Sequence, residues 1–151
     1  MILFQRLGNH TLPLPKRHDG AAFDMRADLT ENPFGIILKP GEVKPVSLGF
    51  AMEVTDIGMC GFLMPRSSLG SKGIILANTI GLIDPSYRGP LTAMMYNSSE
   101  YDFRIDHGDR ICQLLILPYL YFDNDDLSVA EVDELSKTER GSGGFGSTGV
   151  N

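Results

Sequence analysis

Only two cysteines, Cys60 and Cys112, occur in 151 residues, and both sit inside apolar runs. That excludes a disulfide-stapled secreted scaffold and predicts buried thiols in a reducing, cytoplasmic setting. The three histidines, His10, His18 and His107, show no metal-ligand spacing. Long apolar runs are missing too. The most apolar terminus, MILFQRLGNH, is broken by Gln5 and Arg6, so it reads as neither a signal peptide nor a membrane span. Positive charge is in short supply: 13 Lys and Arg face 19 Asp and Glu, for a net charge of −6 and a pI near 4.9. A broad grip on duplex nucleic acid is thereby excluded, and any phosphate site must be a local cluster of cations and backbone amides. Nothing repeats along the chain.

What is there is one globular domain's worth of sequence, 42% hydrophobic and 21% charged. Its apolar segments are short and bounded by Gly, Pro, Asn or Asp, which favours strands over helices. Strands are predicted at 2–6, 34–38, 43–48, 50–54, 59–64, 74–77, 91–96, 103–105, 111–117 and 128–131. Phe50, Met52 and Val54 alternate with other residues as on a half-buried strand, whereas 111–117 is almost wholly apolar and predicts a central strand. Only the stretch after Arg66 has room for a short helix. Many short strands at close intervals predict an all-β sandwich, jelly roll or barrel. The organisation expected is a β-rich body over 1–136 and a flexible Gly-rich arm over 137–151, with the acidic stretch Asp123-Asn-Asp-Asp126 as a solvated loop.

The arm contains Arg140-Gly-Ser-Gly-Gly-Phe-Gly-Ser-Thr-Gly149, five glycines in ten positions. With so little apolar surface it cannot offset its own ordering entropy. Two readings are open. It is a plain Gly/Ser tail, or its backbone N–H groups converge on a phosphorylated ligand with help from Arg140, Ser147 and Thr148, while Phe145 stacks on a base. The fixed Arg and Phe among the glycines favour the second.

Four other segments carry too many special residues for scaffold. In Pro65-Arg-Ser-Ser-Leu-Gly-Ser-Lys-Gly73 a cation and two hydroxyls stand at a helix start, so Ser67 and Ser68 either cap the helix or join Arg66 in gripping a phosphate. Asn78-Thr-Ile-Gly-Leu-Ile-Asp-Pro-Ser-Tyr-Arg-Gly89 reads as a hairpin turning at Asp84-Pro85-Ser86, with Asn78 roughly opposite Thr92. A carboxylate at its mouth holds a water for attack or merely bonds its own turn. Asp24, inside the apolar strand Ala21-Ala-Phe-Asp-Met-Arg-Ala27, needs a partner, a water network or a cation. Gly108-Asp-Arg-Ile-Cys-Gln-Leu-Leu115 leads a turn into a strand bearing Gln113, with Asp109 and Arg110 free to pair with each other or with the backbone.

Taken in order, these five segments resemble the trimeric dUTPase family over about residues 12–149, most specifically through GLIDPSYRG and RGSGGFGSTG. Departures are small: Ala22, Pro90 and Cys112 stand where that family usually has other residues. The resemblance implies a jelly-roll-like, distorted β-barrel and a homotrimer with an exchanged C-terminal arm and shared sites. It implies hydrolysis of dUTP to dUMP and pyrophosphate with Mg²⁺, an activity that keeps uracil out of DNA and supplies dUMP for dTMP synthesis.

By that resemblance Asp84 activates the attacking water, and Asn78, Leu82, Ile83 and Thr92 line the uracil hairpin. Tyr87 packs under the deoxyribose. Arg66, Ser67, Ser68 and Gln113 contact the phosphates, and Asp24 holds Mg²⁺ through water. Phe145 covers the base from another subunit's arm, whose Gly146 also binds substrate and whose Arg140, Ser147 and Thr148 close on the distal phosphates. No nucleic acid or membrane partner is implied. Two rivals remain: a dCTP deaminase of the same fold, disfavoured because no glutamate lies between Asp84 and Gly89, and a regulatory protein switched by the nucleotide, whose protein partner the sequence does not name.

Overall fold

The structure is a computed structural model that describes residues 1–120, 130–139 and 141–142. The chain divides into two compact units, Met1–Tyr121 and Phe122–Asn151. In chain order the first unit contains β1 (Ile2–Arg6), β2 (Phe23–Arg26), β3 (Ile36–Leu38), β4 (Val43–Ser47), β5 (Phe50–Val54) and β6 (Met59–Pro65). A one-turn helix α1 (Ser67–Gly70) follows, then β7 (Ile74–Leu76), β8 (Gly81–Ile83), β9 (Thr92–Asn97), β10 (Phe103–Ile105) and β11 (Arg110–Pro118). In the second unit the amide of Gly141 donates to the Thr138 carbonyl at 3.1 Å. Of the strand predicted at 128–131, Ser128 and Val129 lie outside the described residues, and Ala130 and Glu131 are not in a strand. Among the described residues no helix is long and apolar enough to cross a membrane.

Among the described residues all strand pairs are antiparallel and fall into a four-stranded sheet (β2-β11-β6-β8), a three-stranded sheet (β4-β9-β7) and two pairs (β1-β5 and β10-β3). Short strands that change neighbours in this way wrap one core, the distorted barrel of a jelly-roll fold. The apolar run of β11 sits between β2 and β6, as a strand without alternation requires. Met25, Leu38, Leu48, Ile74, Leu76, Leu91, Met95, Ile105, Ile111 and Leu114 are fully buried, each worth roughly 1.5–3 kcal/mol of transfer free energy. Both thiols are free and buried, and burial pushes that of Cys112 up to about 12.

Two strands depart from the sequence expectation. The strand predicted from Phe34 begins at Ile36, because Gly35 adopts φ 71° and its amide closes a turn onto the Asn32 carbonyl at 3.0 Å. Alternation also fails in β5: Phe50, Ala51 and Met52 are all buried. Phe50 is covered by an aromatic cluster, with Phe4 at 6.1 Å, the His10 ring at 4.9 Å and the Arg6 guanidinium 5.1 Å from its centroid. Ala51 stands opposite Gln5, and its methyl group rises too little to escape the longer side chains around it. Gly49 is held at φ 74° beneath the His10 ring, where a Cβ would meet the ring's Cδ2 at 2.9 Å.

Asn97 is polar and fully buried. Asn97 donates to the carbonyls of Leu38 (2.8 Å) and Tyr101 (2.7 Å) and accepts from the Ser99 amide (2.9 Å) and hydroxyl (2.7 Å). A core amide with all these bonds made ties the end of β9 to β3 and to the turn before β10. Asn97→Ala strands several main-chain groups at once and should lower stability by roughly 2–4 kcal/mol. Thermal unfolding checks this, and an unchanged Tm would refute the assignment.

Candidate active site

The phosphate-type residues come together at one end of the four-stranded sheet. Register places Gln113 of β11 opposite Asp24 of β2 on one side and Met64 of β6 on the other. The Gln113 amide donates to the Pro65 carbonyl at 2.9 Å. Arg66 follows directly, in extended conformation (φ −89°, ψ 138°) as the residue preceding α1. Its Nε lies 3.1 Å from Asp24 Oδ1, and its Nη1 donates to the Arg110 carbonyl at 3.0 Å. Arg110 Nη1 takes the other oxygen of Asp24 at 3.0 Å. Arg110 therefore pairs across the sheet with Asp24 and not with Asp109, whose carboxylate accepts from the Asp106 amide at 2.9 Å. Two guanidiniums on one carboxylate leave an excess positive charge facing solvent.

Ser67 and Ser68 are exposed beside this group. Neither caps α1: the helix start has no side-chain cap bond. The capping alternative is thereby removed, and both hydroxyls are available to a ligand.

The second group is built by the segment between β7 and β9, and the hairpin expected there needs correction. The β8 strand pairs with β6 (Gly61↔Ile83, Leu63↔Gly81), while β9 pairs with β7 and β4. The two legs thus belong to different sheets. Ile83 of β8 packs against the core from its place beside β6, a position that a tight β8-β9 hairpin would not provide. The turn itself is as expected, with the Tyr87 amide donating to the Asp84 carbonyl at 3.0 Å and Pro85 at the second position. Asn78, Leu82, Ile83, Asp84, Tyr87 and Thr92 line one open pocket of about 350 Å³, floored by Leu63 and Leu91.

Within that pocket the Asp84 carboxylate is exposed and makes no hydrogen bond or ion pair among the described residues. The turn is closed by its main chain, so the carboxylate stays free to accept a proton. Its charge is felt nearby: burial first, and the Asp84 carboxylate second, raise the Cys60 thiol above its usual range.

Two supports escaped sequence reasoning. Arg88 Nη1 donates to the carbonyls of Pro85 (2.6 Å) and Tyr87 (3.1 Å), and its Nη2 lies 3.2 Å from Glu53 on β5. It fastens the Asp84 turn to a neighbouring strand, a contact that no local pattern announces. The Tyr87 hydroxyl donates to the Pro90 carbonyl at 3.1 Å, which lays the ring over Gly89. A Cβ there would stand 2.6 Å from the ring's Cζ, so only glycine lets the ring lie in this position.

None of Asp24, Arg66, Ser67, Ser68 and Gln113 lines the pocket that holds Asp84. Arg140, Phe145, Gly146, Ser147 and Thr148 lie outside the described residues. Among the described residues no three His, Cys, Asp or Glu side chains are grouped to hold a metal. Asp24, with each oxygen engaged by a guanidinium, fits contact through water with a cation that a ligand brings, and does not fit a metal held by the protein alone.

The sequence model of the dUTPase family matches residues 9–149. A deoxyuridine 5'-triphosphate nucleotidohydrolase of Gamma-proteobacterium EBAC31A08 is 42% identical over 143 residues, covering 93% of this chain and 97% of the relative. Its namesake from Mannheimia succiniciproducens is 41% identical over 150 residues, covering 98% and 94%. Among solved structures, the dUTPase of Staphylococcus bacteriophage 80alpha with dUPNHPP superposes with a TM-score of 0.82 at 25% identity, covering 99% of each chain.

Proposed function

We propose, from the premise that this chain belongs to the dUTPase family, that it hydrolyses dUTP to dUMP and pyrophosphate, with Asp84 as the general base. The observation that carries the reading is an unpaired carboxylate at the rim of a pocket whose other walls are Asn78, Leu82, Ile83, Tyr87 and Thr92. Asp84 orients a water and takes its proton as the water oxygen bonds to the α-phosphorus. The bond from that phosphorus to the α,β-bridging oxygen breaks, and pyrophosphate leaves. Main-chain groups along Leu82 and Ile83 meet the edge of uracil, and Tyr87 lies under the deoxyribose. Phosphoryl transfer of this kind needs positioning and charge neutralisation more than covalent chemistry.

Arg66, Ser67, Ser68 and Gln113 grip the phosphate chain. A divalent cation carried by the triphosphate would be held through water at Asp24 and would neutralise phosphate charge. Because none of the phosphate-gripping residues lines the Asp84 pocket within one chain, the reading includes a homotrimer whose site joins the pocket of one chain, the Asp24 group of a second and the 137–151 arm of a third. In that arrangement Phe145 covers the base, Gly146 contributes to substrate binding, and Arg140, Ser147 and Thr148 close on the distal phosphates.

Pyrophosphate release from dUTP, measured beside dCTP, dTTP and UTP, tests the activity; ammonia from dCTP would point to a deaminase instead. The pocket also predicts sugar selectivity, since Tyr87 laid over Gly89 leaves no room for a 2′-hydroxyl. Gly89→Ala should push the ring off its place and cut the ratio of kcat/KM for dUTP over UTP by about tenfold or more, a loss of roughly 1.4 kcal/mol of discrimination. An unchanged ratio would remove Tyr87 from this role.

A further inference from the structure

Beside the Asp24 group stands a set of basic side chains with no assigned task. Lys16, Arg17 and His18 lie exposed on the segment leading into β2, and none of their side chains makes a hydrogen bond or ion pair among the described residues. Lys16 forms an antiparallel bridge with Asp24, whose amide donates to the Lys16 carbonyl at 3.1 Å. Asp24 in turn faces Gln113. Directly opposed residues of an antiparallel ladder project to the same face, so Gln113, Asp24 and Lys16 form one cross-strand row. Arg26, two residues beyond Asp24, projects to that face as well.

Lys16, His18, Asp24 and Arg26 line a cavity of about 120 Å³ walled by Pro15 and Phe50. Its charge is unbalanced. Asp24 is already engaged by Arg66 and Arg110, and Arg26 donates to a neutral partner, the Gly108 carbonyl, at 2.6 Å. Lys16 and Arg26 therefore contribute positive charge that nothing in the cavity offsets, in a chain whose net charge is −6. Like charges gathered at a concave site repel one another until an anion joins them.

We propose that Lys16, with His18 and Arg26 beside it, forms an anion subsite that extends the Asp24, Arg66 and Gln113 group and receives the terminal phosphate of a bound nucleoside triphosphate. This rests on the reading of that group as phosphate-binding. Strands in a sheet are about 4.8 Å apart, so the row from Gln113 through Asp24 to Lys16 spans roughly 10 Å, enough to follow a chain of three phosphates. Lys16 occupies the end of that row and serves as a strongly hydrated point charge, suited to a phosphate whose orientation other groups set.

The test is calorimetric binding of dUMP, dUDP, α,β-imido-dUTP and inorganic pyrophosphate, with Mg²⁺ present, to the full chain and to its Lys16→Met and Lys16→Arg variants. Lys16→Met keeps the apolar stem and removes the charge. The expected result is about a tenfold weaker affinity for α,β-imido-dUTP with dUMP unchanged, largely restored in Lys16→Arg. A matching loss for pyrophosphate, alongside that for α,β-imido-dUTP, would support the proposal and show that the subsite also takes the free product. Equal losses for dUMP and α,β-imido-dUTP, or no loss for either, would overturn the proposal. Failure of the unaltered chain to bind α,β-imido-dUTP would instead overturn the reading of the phosphate group from which the proposal starts.

Discussion

Asp84→Asn is expected to bind dUTP with near-normal affinity and to turn it over roughly 10²–10⁴-fold more slowly, the usual scale for losing a general base. The substitution keeps the size of the side chain and removes only its ability to hold a proton. Structure argues that little else changes: the carboxylate makes no hydrogen bond or ion pair among the described residues, and the turn that carries it is closed by main-chain and Arg88 contacts. A stopped assay of pyrophosphate release, paired with calorimetric binding of a non-hydrolysable analogue, separates the two parameters. If turnover stays within a few-fold of the unaltered enzyme, another group activates the water. If affinity collapses as well, Asp84 acts in binding and not in proton transfer.

The second large effect concerns the arm. Removing the residues after Lys137 deletes Arg140, Phe145, Gly146, Ser147 and Thr148 together, and should leave a folded oligomer that hydrolyses dUTP poorly. The core supports this, since among the described residues the buried cluster and the apolar side chains packed against it lie between Ile2 and Ile116. The informative experiment mixes the truncated chain with full-length Asp84→Asn under conditions that permit subunit exchange. Each partner then supplies what the other lacks, an intact Asp84 from one and an intact arm from the other, so some activity should return. Mixed oligomers that are verified by mass and remain as inactive as the separate variants would show that the arm serves its own subunit or has no catalytic part. Closure of a segment that completes the site only when the triphosphate is present would also exclude water from the leaving pyrophosphate.

Much of this molecule could be read before any coordinates. Strand positions followed from Gly, Pro, Asn and Asp punctuating short apolar runs, because turn conformations are local and a few residue types dominate them. The central place of β11 followed from its unbroken apolar run, and the two buried thiols from their apolar neighbours. The segments bearing Asp84, Arg66 and the glycine-rich arm announced themselves through chemistry that a scaffold has no use for, and their order along the chain carried the family resemblance.

Pairing was another matter. Whether β8 joins β9 or β6 depends on where Ile83 finds cover, and that surface is supplied by residues far away in sequence. The burial of Ala51, the four bonds on Asn97 and the clasp of Arg88 on the Asp84 turn have the same origin. So does the fate of Asp24. Its sequence neighbours show only that a carboxylate in an apolar strand needs company; the register of β11 against β2 and the path of the chain after β6 decided that the company is Arg110 and Arg66. The sequence by itself determined which residues carry the chemistry and which segments extend, since periodicity and turn preference act over a few residues. Tertiary structure alone decided which of those residues meet, because strand partners and charge pairs are chosen by contacts between distant parts of the chain.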